Sequence, residues 1–233
     1  MGLFKPDHSI VSLAKDLAHG LAESYNHIDF QADFLPEDSQ PFLTNLSAGE
    51  YEDSLLYRAD VSGAELNGVG LYGAKLGGAN LQRAKLHAAD LRLADLSNSN
   101  LSLAEFVQAN LSEANLFRSI AKNASFYKAI IRDTDLRKVK FHDCNLSHSI
   151  LRGSDFSKAD VTRCHFSFAD LSEVNFKNAK LLGACFYQAN LLAANLIGAD
   201  LRASGITRQD YQDSVIWDET TLWDGTAPLP EHG

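Results

Sequence analysis

This chain of 233 residues is expected to form an all-β solenoid, a narrow square column of coils stacked through parallel β pairing. Three observations predict it. A large apolar residue recurs at every fifth position without a slip from Leu46 to Ile206, a small residue stands two places before it, and the residue between them is commonly Asn or Asp. Of 33 such apolar positions, 20 are Leu, seven Phe, two Val, two Ile and one Tyr51, so that Ala121 alone breaks the rule. At the small positions 19 are Ala and six Ser, and nothing larger than Val69, Val139 or Val174 occurs.

Three segments follow, over residues 1–45, 46–206 and 207–233. The first is expected to be a cap. In HSIVSLAKDLAHGLAESY, residues 8–25, Ile10, Ala14, Leu17 and Leu21 recur at helical spacing, with Asp7 or Ser9 as the N-cap. FQADFLPEDSQPF, with Phe30, Phe34 and two prolines, reads as a lead-in or loop. A cap is needed because an unfinished coil exposes unpaired backbone and an apolar layer, inviting end-to-end association.

A helix cannot use the fivefold spacing of the second segment. At about 100° per residue, a five-residue step advances about 500°, which scatters the leucines around the cylinder. A short extended segment fits, because residues two apart point the same way: the small residue and the Leu face inward together, and the polar residue between them faces out. The remaining two residues then turn the chain. Four such corners close a coil of about twenty residues, and neighbouring coils pair about 4.8 Å apart. The side chains converge on a narrow axis, so a residue larger than Val at the small position overpacks the core, at about 1–3 kcal/mol.

The pattern resembles the pentapeptide-repeat family, whose motif A(D/N)LXX is met as Ala79-Asn80-Leu81, Ala89-Asp90-Leu91, Ala94-Asp95-Leu96, Ala109-Asn110-Leu111, Ala169-Asp170-Leu171 and Ala199-Asp200-Leu201. The resemblance covers residues 46–206. It implies a right-handed quadrilateral parallel β-helix, here of about eight coils and about 38 Å long. No insertion interrupts the coils, and the projecting loops of the quinolone-resistance members are missing.

The third segment is expected to be an irregular C-terminal cap. Gln209 stands where a small residue belongs, although Tyr211 and Ile216 keep the period. Trp217 and Trp223, the only tryptophans, lie in VIWDETTLWDGT. They read as a lid over the last coil, or alternatively as a contact for a ligand or second copy.

Composition bounds the function. No run of eighteen apolar residues occurs, so no membrane span is expected, and MGLFKPDHS lacks the pattern of a secretory signal. Three cysteines make no disulfide framework, and a cytoplasmic protein with free thiols is expected. Cys144 and Cys164 fall in one inward column as small packing residues, and Cys185 falls on a polar position. No phosphate loop, nucleophile elbow or metal-binding helix motif is present, and His142 falls on a different face from His148 and His165. A solenoid of this kind also lacks a deep water-excluding cleft. No catalysis, cofactor or metal is expected.

Because a coil has twenty residues, the outward positions sort by number into four faces. The first, carrying Leu71, Leu91 and Leu111, is acidic: Glu50, Glu52, Asp53, Asp90, Glu113, Asp133, Asp170 and Glu173 stand against three bases. The second, carrying Leu76, Leu96 and Leu116, is basic: Arg58, Lys75, Arg118, Arg137, Lys138, Lys158 and Lys177 stand against Asp95, Asp135 and Asp155. Arg118, Lys138 and Lys158 form a column, which the three acids are expected to pair. The third and fourth faces sum to +2 and 0. Around Ala121, the apolar residues Phe117, Ile120, Tyr127, Ile130 and Ile150 take outward positions, marking either an interface or a distortion that turns Ile120 inward.

Two functional readings follow. The first is a rigid, non-catalytic scaffold or regulatory module for an unidentified protein partner, as monomer or homodimer, with no nucleic-acid or membrane binding. The alternative comes from the resemblance: some family members imitate duplex DNA and bind DNA gyrase or topoisomerase IV. B-DNA carries one charge per about 1.7 Å, so a rod of about 38 Å would match roughly 22 negative charges. The coils sum to +1, because the chain's net charge of −9 sits in residues 1–45 and 207–233 at −5 each. That disfavours mimicry except along the acidic face.

Overall fold

Every backbone N–H of a typical repeat finds a partner, and the partners explain the sequence pattern. The computed structural model describes residues 56–211 and 213–225; the expected helical cap, Tyr51, Glu50, Glu52 and Asp53 lie outside them. In the repeat around Leu81, Asn80 N–H donates to the Ala59 carbonyl of the coil below at 2.9 Å. Leu81 and Arg83 N–H donate to Asn100 and Ser102 of the coil above, at 2.8 and 3.0 Å. Ala84 N–H closes the corner onto Leu81 at 3.0 Å. The fifth donor, Gln82 N–H, goes to Asn80 Oδ1 at 3.2 Å.

That last bond explains the Asn or Asp between the two inward residues. Its side chain accepts from the N–H two residues on, a local turn that these side chains are built to make. Asp95 does the same for Ser97 and Asp155 for Ser157. Where Asn follows in the next coil, its amide also donates downward: Asn115 to Asp95 at 3.1 Å and Asn175 to Asp155 at 3.0 Å. The polar column is thus a hydrogen-bonded ladder.

Successive coils pair parallel at an offset of twenty, from Asp60↔Asn80 through Lys180↔Asp200. Four pairings occur per coil, so the solenoid has four sides. At one place the pairing lengthens into two strands, β1 (Ile120–Lys122) and β2 (Lys140–His142), in parallel register. The corners share one geometry. Every fifth residue from Arg58 to Ala203 has positive φ, between 52° and 73°, whether or not it is glycine. The left-handed region costs an L-residue about 1–2 kcal/mol, which the corner and inter-coil hydrogen bonds must offset. Glycine or Asn at many of these positions was the available signal in the sequence.

Inward, the small and large positions are buried from Leu56 to Leu201, as the repeat requires. The phenylalanines stack along the axis: Phe106 on Phe126 at 4.9 Å between ring centroids, and Phe166 on Phe186 at 5.2 Å. Small-position hydroxyls satisfy themselves locally, since Ser99 donates to Leu96 and Ser149 to Leu146, each at 2.6 Å. Cys144 and Cys164 reach instead to the coil below, their thiols meeting the Ala121 and Phe141 carbonyls at 3.5 and 3.2 Å. Burial pushes the Cys164 thiol up. Ser119 is the exception, its buried hydroxyl having no partner among the described residues. Ser119→Ala is therefore expected to raise stability by up to about 1 kcal/mol, whereas Ser99→Ala lowers it by a similar amount. Thermal midpoints of the two variants, read by circular dichroism, check the opposite signs.

Ala121 does not bring Ile120 inward: Ile120 stays 47% exposed. Its N–H and carbonyl are held in the ladder, by Ser99 and Leu101 below, so it cannot rotate into the core. Instead Phe126 of the same coil and Phe141 of the coil above lie nearly parallel, 5.3 Å apart, beside the alanine. Aromatic bulk takes the room that a Leu would fill.

After Ile206 the chain makes one helical turn, α1 (Arg208–Tyr211). Pairing resumes out of register, Asn195 with Ile216 and Asp200 with Leu222. The shift gives Ile216 the outward bridging role, and it is 51% exposed rather than continuing the inward period. Trp223 is buried on the last coil, with Trp217 edge-on at 6.0 Å. Asp224 secures this lid, its carboxylate accepting the N–H groups of Ala203 and Gly205 at 2.9 and 2.8 Å.

Candidate functional site

Five residues per side leave three outward positions, so each face is a flat array whose backbone is held by inter-coil bonds. On the basic face, Phe117 lies at the centre of a cation cluster. The Arg118 guanidinium is 4.9 Å from its ring centroid, Arg137 5.5 Å, and the Lys138 ammonium 5.6 Å. A ring face attracts cations through its quadrupole, which helps three positive groups share one spot.

The acids expected to pair the Arg118–Lys138–Lys158 column do not do so. Asp135 binds Arg137 at 2.6 Å, while Asp95 and Asp155 are taken up by the Asn ladder. Among the described residues, no carboxylate lies in ion-pair reach of Arg118, Lys138 or Lys158. The reason is geometric. The acids occupy the bridging position, where their oxygens are turned to the next backbone N–H, and the column cations occupy the corner three residues on. Arg58, at the low end of the face, lies over Tyr57 at 5.2 Å, and Lys75 pairs its backbone with Asp95. Lys177 is exposed.

The third face is different: three of its four described carboxylates are gripped by cations, while Arg83, Lys122 and Lys140 make no ion pair among the described residues. Arg163 grips Asp143 at 2.6 Å, Arg202 grips Asp200 at 2.8 Å, and Asp160 lies between His142 and Lys180 at 3.3 and 3.6 Å.

The acidic face is partly neutralised. Its described acids are Asp90, Glu113, Asp133, Asp170 and Glu173, against Arg92, Arg132 and Arg152. Arg92 closes on Asp90 and Arg152 on Glu173, each at 2.6 Å. Nor do the mid-rod apolar residues form one patch. Ile130 and Ile150 pair on the acidic face, Phe117 lies under the basic cluster, Ile120 is half a coil from Ile130, and Tyr127 lies on the fourth face. They are close in number but distributed around the column.

Several carboxylates lie below their ordinary range. Hydrogen bonds from the Arg92 side chain lower Asp90, and those from Arg202 lower Asp200. Burial alone would raise Asp135, but the side-chain and backbone donors of Arg137 outweigh it. Backbone donors from Gly205 and Ala203 lower Asp224. Each group is more acidic folded than unfolded, so its stabilisation is present above about pH 4 and is lost as pH falls through the folded value. The thermal midpoint is expected to hold level from neutrality to about pH 5 and to decline below about pH 4. A scanning calorimetry series across that range checks it.

Sorting by face also reveals what charge alone missed. Tyr127, His148, Phe168 and Tyr187 touch in sequence along the fourth face. The sequence carries their signal, since their numbers fall seven or eight past a multiple of twenty and so place them on one side.

Eight copies of the family model described as Pentapeptide repeats match, together covering residues 52–204 without a gap. No curated protein matches the chain. Among solved structures, a trypsin-treated variant of QnrB1, a plasmid-mediated fluoroquinolone resistance protein, is 22% identical with a TM-score of 0.56, over 61% of this chain and 72% of that one. A second QnrB1 variant is 18% identical with a TM-score of 0.52, over 62% and 85%. HetL, a pentapeptide repeat protein involved in heterocyst differentiation regulation in the cyanobacterium Nostoc, is 24% identical with a TM-score of 0.36, over 70% and 82%. For the two QnrB1 variants the likeness, at these identities, is one of fold.

Proposed function

The chain belongs to the pentapeptide-repeat family, and from that premise we propose that it is a non-catalytic interaction scaffold whose basic face binds an anionic protein partner. The observation that carries this reading is the Arg118–Lys138–Lys158 column, without an ion-pair partner among the described residues, its first two members gathered on Phe117. Like charges held at coil spacing repel one another, so the column costs stability in the free protein and is relieved when a carboxylate-bearing surface docks. Rigid backbone keeps the array in place, so little entropy is lost on binding. The finer form of the rod, a right-handed square coil of about eight turns with a helical cap over residues 1–45, is part of the same reading. Free thiols at Cys144, Cys164 and Cys185 favour a reducing compartment such as the cytoplasm.

The test is a charge reversal on the full chain. An Arg118/Lys138/Lys158→Glu variant is expected to lose the proteins captured by the wild type, at unchanged thermal midpoint, because all three side chains are exposed. A Glu113/Asp133/Asp170→Lys variant on the adjoining acidic face is expected to retain them. Capture by the wild type is also expected to weaken as salt rises. If both variants capture what the wild type captures, the faces serve only solvation. The alternative, a one-sided mimic of DNA acting on gyrase, has less support: five described acids face three arginines, two of them already paired. Inhibition or quinolone protection of gyrase supercoiling by micromolar protein would favour that alternative.

A further inference from the structure

The fourth face carries an aromatic stripe that the charge argument does not use. Tyr127 meets His148 edge-on at 5.4 Å, His148 stacks on Phe168 at 4.8 Å, and Phe168 meets Tyr187 edge-on at 5.5 Å. Phe168 is 45% exposed and Tyr187 61%, too much apolar surface to be accounted for by packing. The stripe climbs three coil spacings, about 14 Å. At its upper end Tyr187 also lines a cleft of about 570 Å³, where the chain leaves the coil register, together with Tyr211 and Asp210. Stripe and cleft are therefore one continuous surface.

Charge varies along it. The formal charges of the fourth face lie at Glu65, Lys85, Glu105 and Lys128, and only Lys128 adjoins the stripe, over the Tyr127 ring at 5.3 Å. The stripe proper is uncharged. The cleft is acidic: Asp210 is the one charged residue of its lining, and the neighbouring Arg208 is laid over Trp217 at 4.1 Å. A matching occupant is uncharged along most of its length and positive at one end.

We propose that this surface binds a proline-rich polypeptide segment in the polyproline II conformation, with a basic residue entering the cleft beside Asp210. That helix rises about 3.1 Å per residue with three residues per turn, so every third residue recurs at about 9.3 Å. Alternate coils recur at about 9.6 Å. A ridge of prolines thus keeps step with alternate aromatics, Tyr127 with Phe168 and His148 with Tyr187. Proline-rich segments dock on aromatic-lined surfaces because they are ordered before binding and carry little conformational entropy to lose. An added β-strand is the competing occupant, and the coil side rejects it: backbone N–H groups are already spent along the rod axis, as around Leu81, leaving no edge to pair.

The experiment uses fluorescence anisotropy on the full chain with a labelled peptide of three Pro-Pro-Ala repeats ending in two arginines. Saturable binding is expected. Phe168→Ala and Tyr187→Ala are each expected to weaken it at least fivefold, at unchanged thermal midpoint. Asp210→Asn is expected to weaken the arginine-ended peptide severalfold and to leave an alanine-ended version unchanged. The Arg118/Lys138/Lys158→Glu variant is expected to bind as the wild type does, which separates this site from the basic face. No saturable binding up to millimolar peptide, binding indifferent to Tyr187→Ala, or equal binding of a poly-glutamate peptide would each overturn the proposal. So would binding of a neutral oligosaccharide in place of the peptide.

Discussion

Phe126→Ala is expected to cost the solenoid about 3–5 kcal/mol, the range for removing a fully buried aromatic side chain. The residue has no exposed surface and is stacked on both sides, by Phe106 at 4.9 Å and Phe141 at 5.3 Å. What sets the cost is how far the surroundings can collapse. Here they are held by bonds between coils: Phe126 N–H donates to the Asn145 carbonyl at 2.7 Å, and Ala129 N–H closes the corner at 3.0 Å. Ala121, in the same coil, has no long side chain to swing into the hole. The cavity therefore stays open. Urea denaturation followed by near-ultraviolet circular dichroism measures the loss, and a change below about 1 kcal/mol would mean that the coils repack.

Ala121→Leu is expected to destabilise, by about 1–3 kcal/mol, although it restores the family pattern. The repeat alone would recommend it, since every other member of the fivefold series from Leu46 to Ile206 is large. The structure argues the reverse, because Phe126 and Phe141 lie parallel where the leucine would enter. Phe141→Leu made together with it is expected to recover part of the loss, since residues sharing one space couple. The same denaturation measurement on both singles and the double variant gives the coupling energy. Stabilisation by the single change would show an unfilled core at Ala121.

How much could be read from the sequence differs by level. Which residues point inward was legible, because the fivefold spacing permits only one way of burying all the leucines in an extended chain. The role of the Asn and Asp column was half legible: outward placement followed from the pleat, but its hydrogen-bonded ladder needed coordinates, as Asn115 on Asp95 illustrates. The corner conformation was missed, because the non-glycine majority there, Leu93 and Phe168 among them, disguises a left-handed position. At Ile216 the period misled, since the chain had slipped out of register after α1 while the spacing of apolar residues continued.

The linear pattern determined the solenoid, its inward columns and the membership of each face, because a fixed repeat converts residue number directly into angular position. It could not determine which surface groups engage. Arg137 turns to Asp135 while Arg118 and Lys138 gather on Phe117, and Tyr127, His148, Phe168 and Tyr187 join into one stripe that ends in a cleft. Those outcomes belong to the stacked coils. Long side chains choose among partners on neighbouring turns about 4.8 Å apart, and that competition exists only once residues twenty apart in the chain stand next to each other.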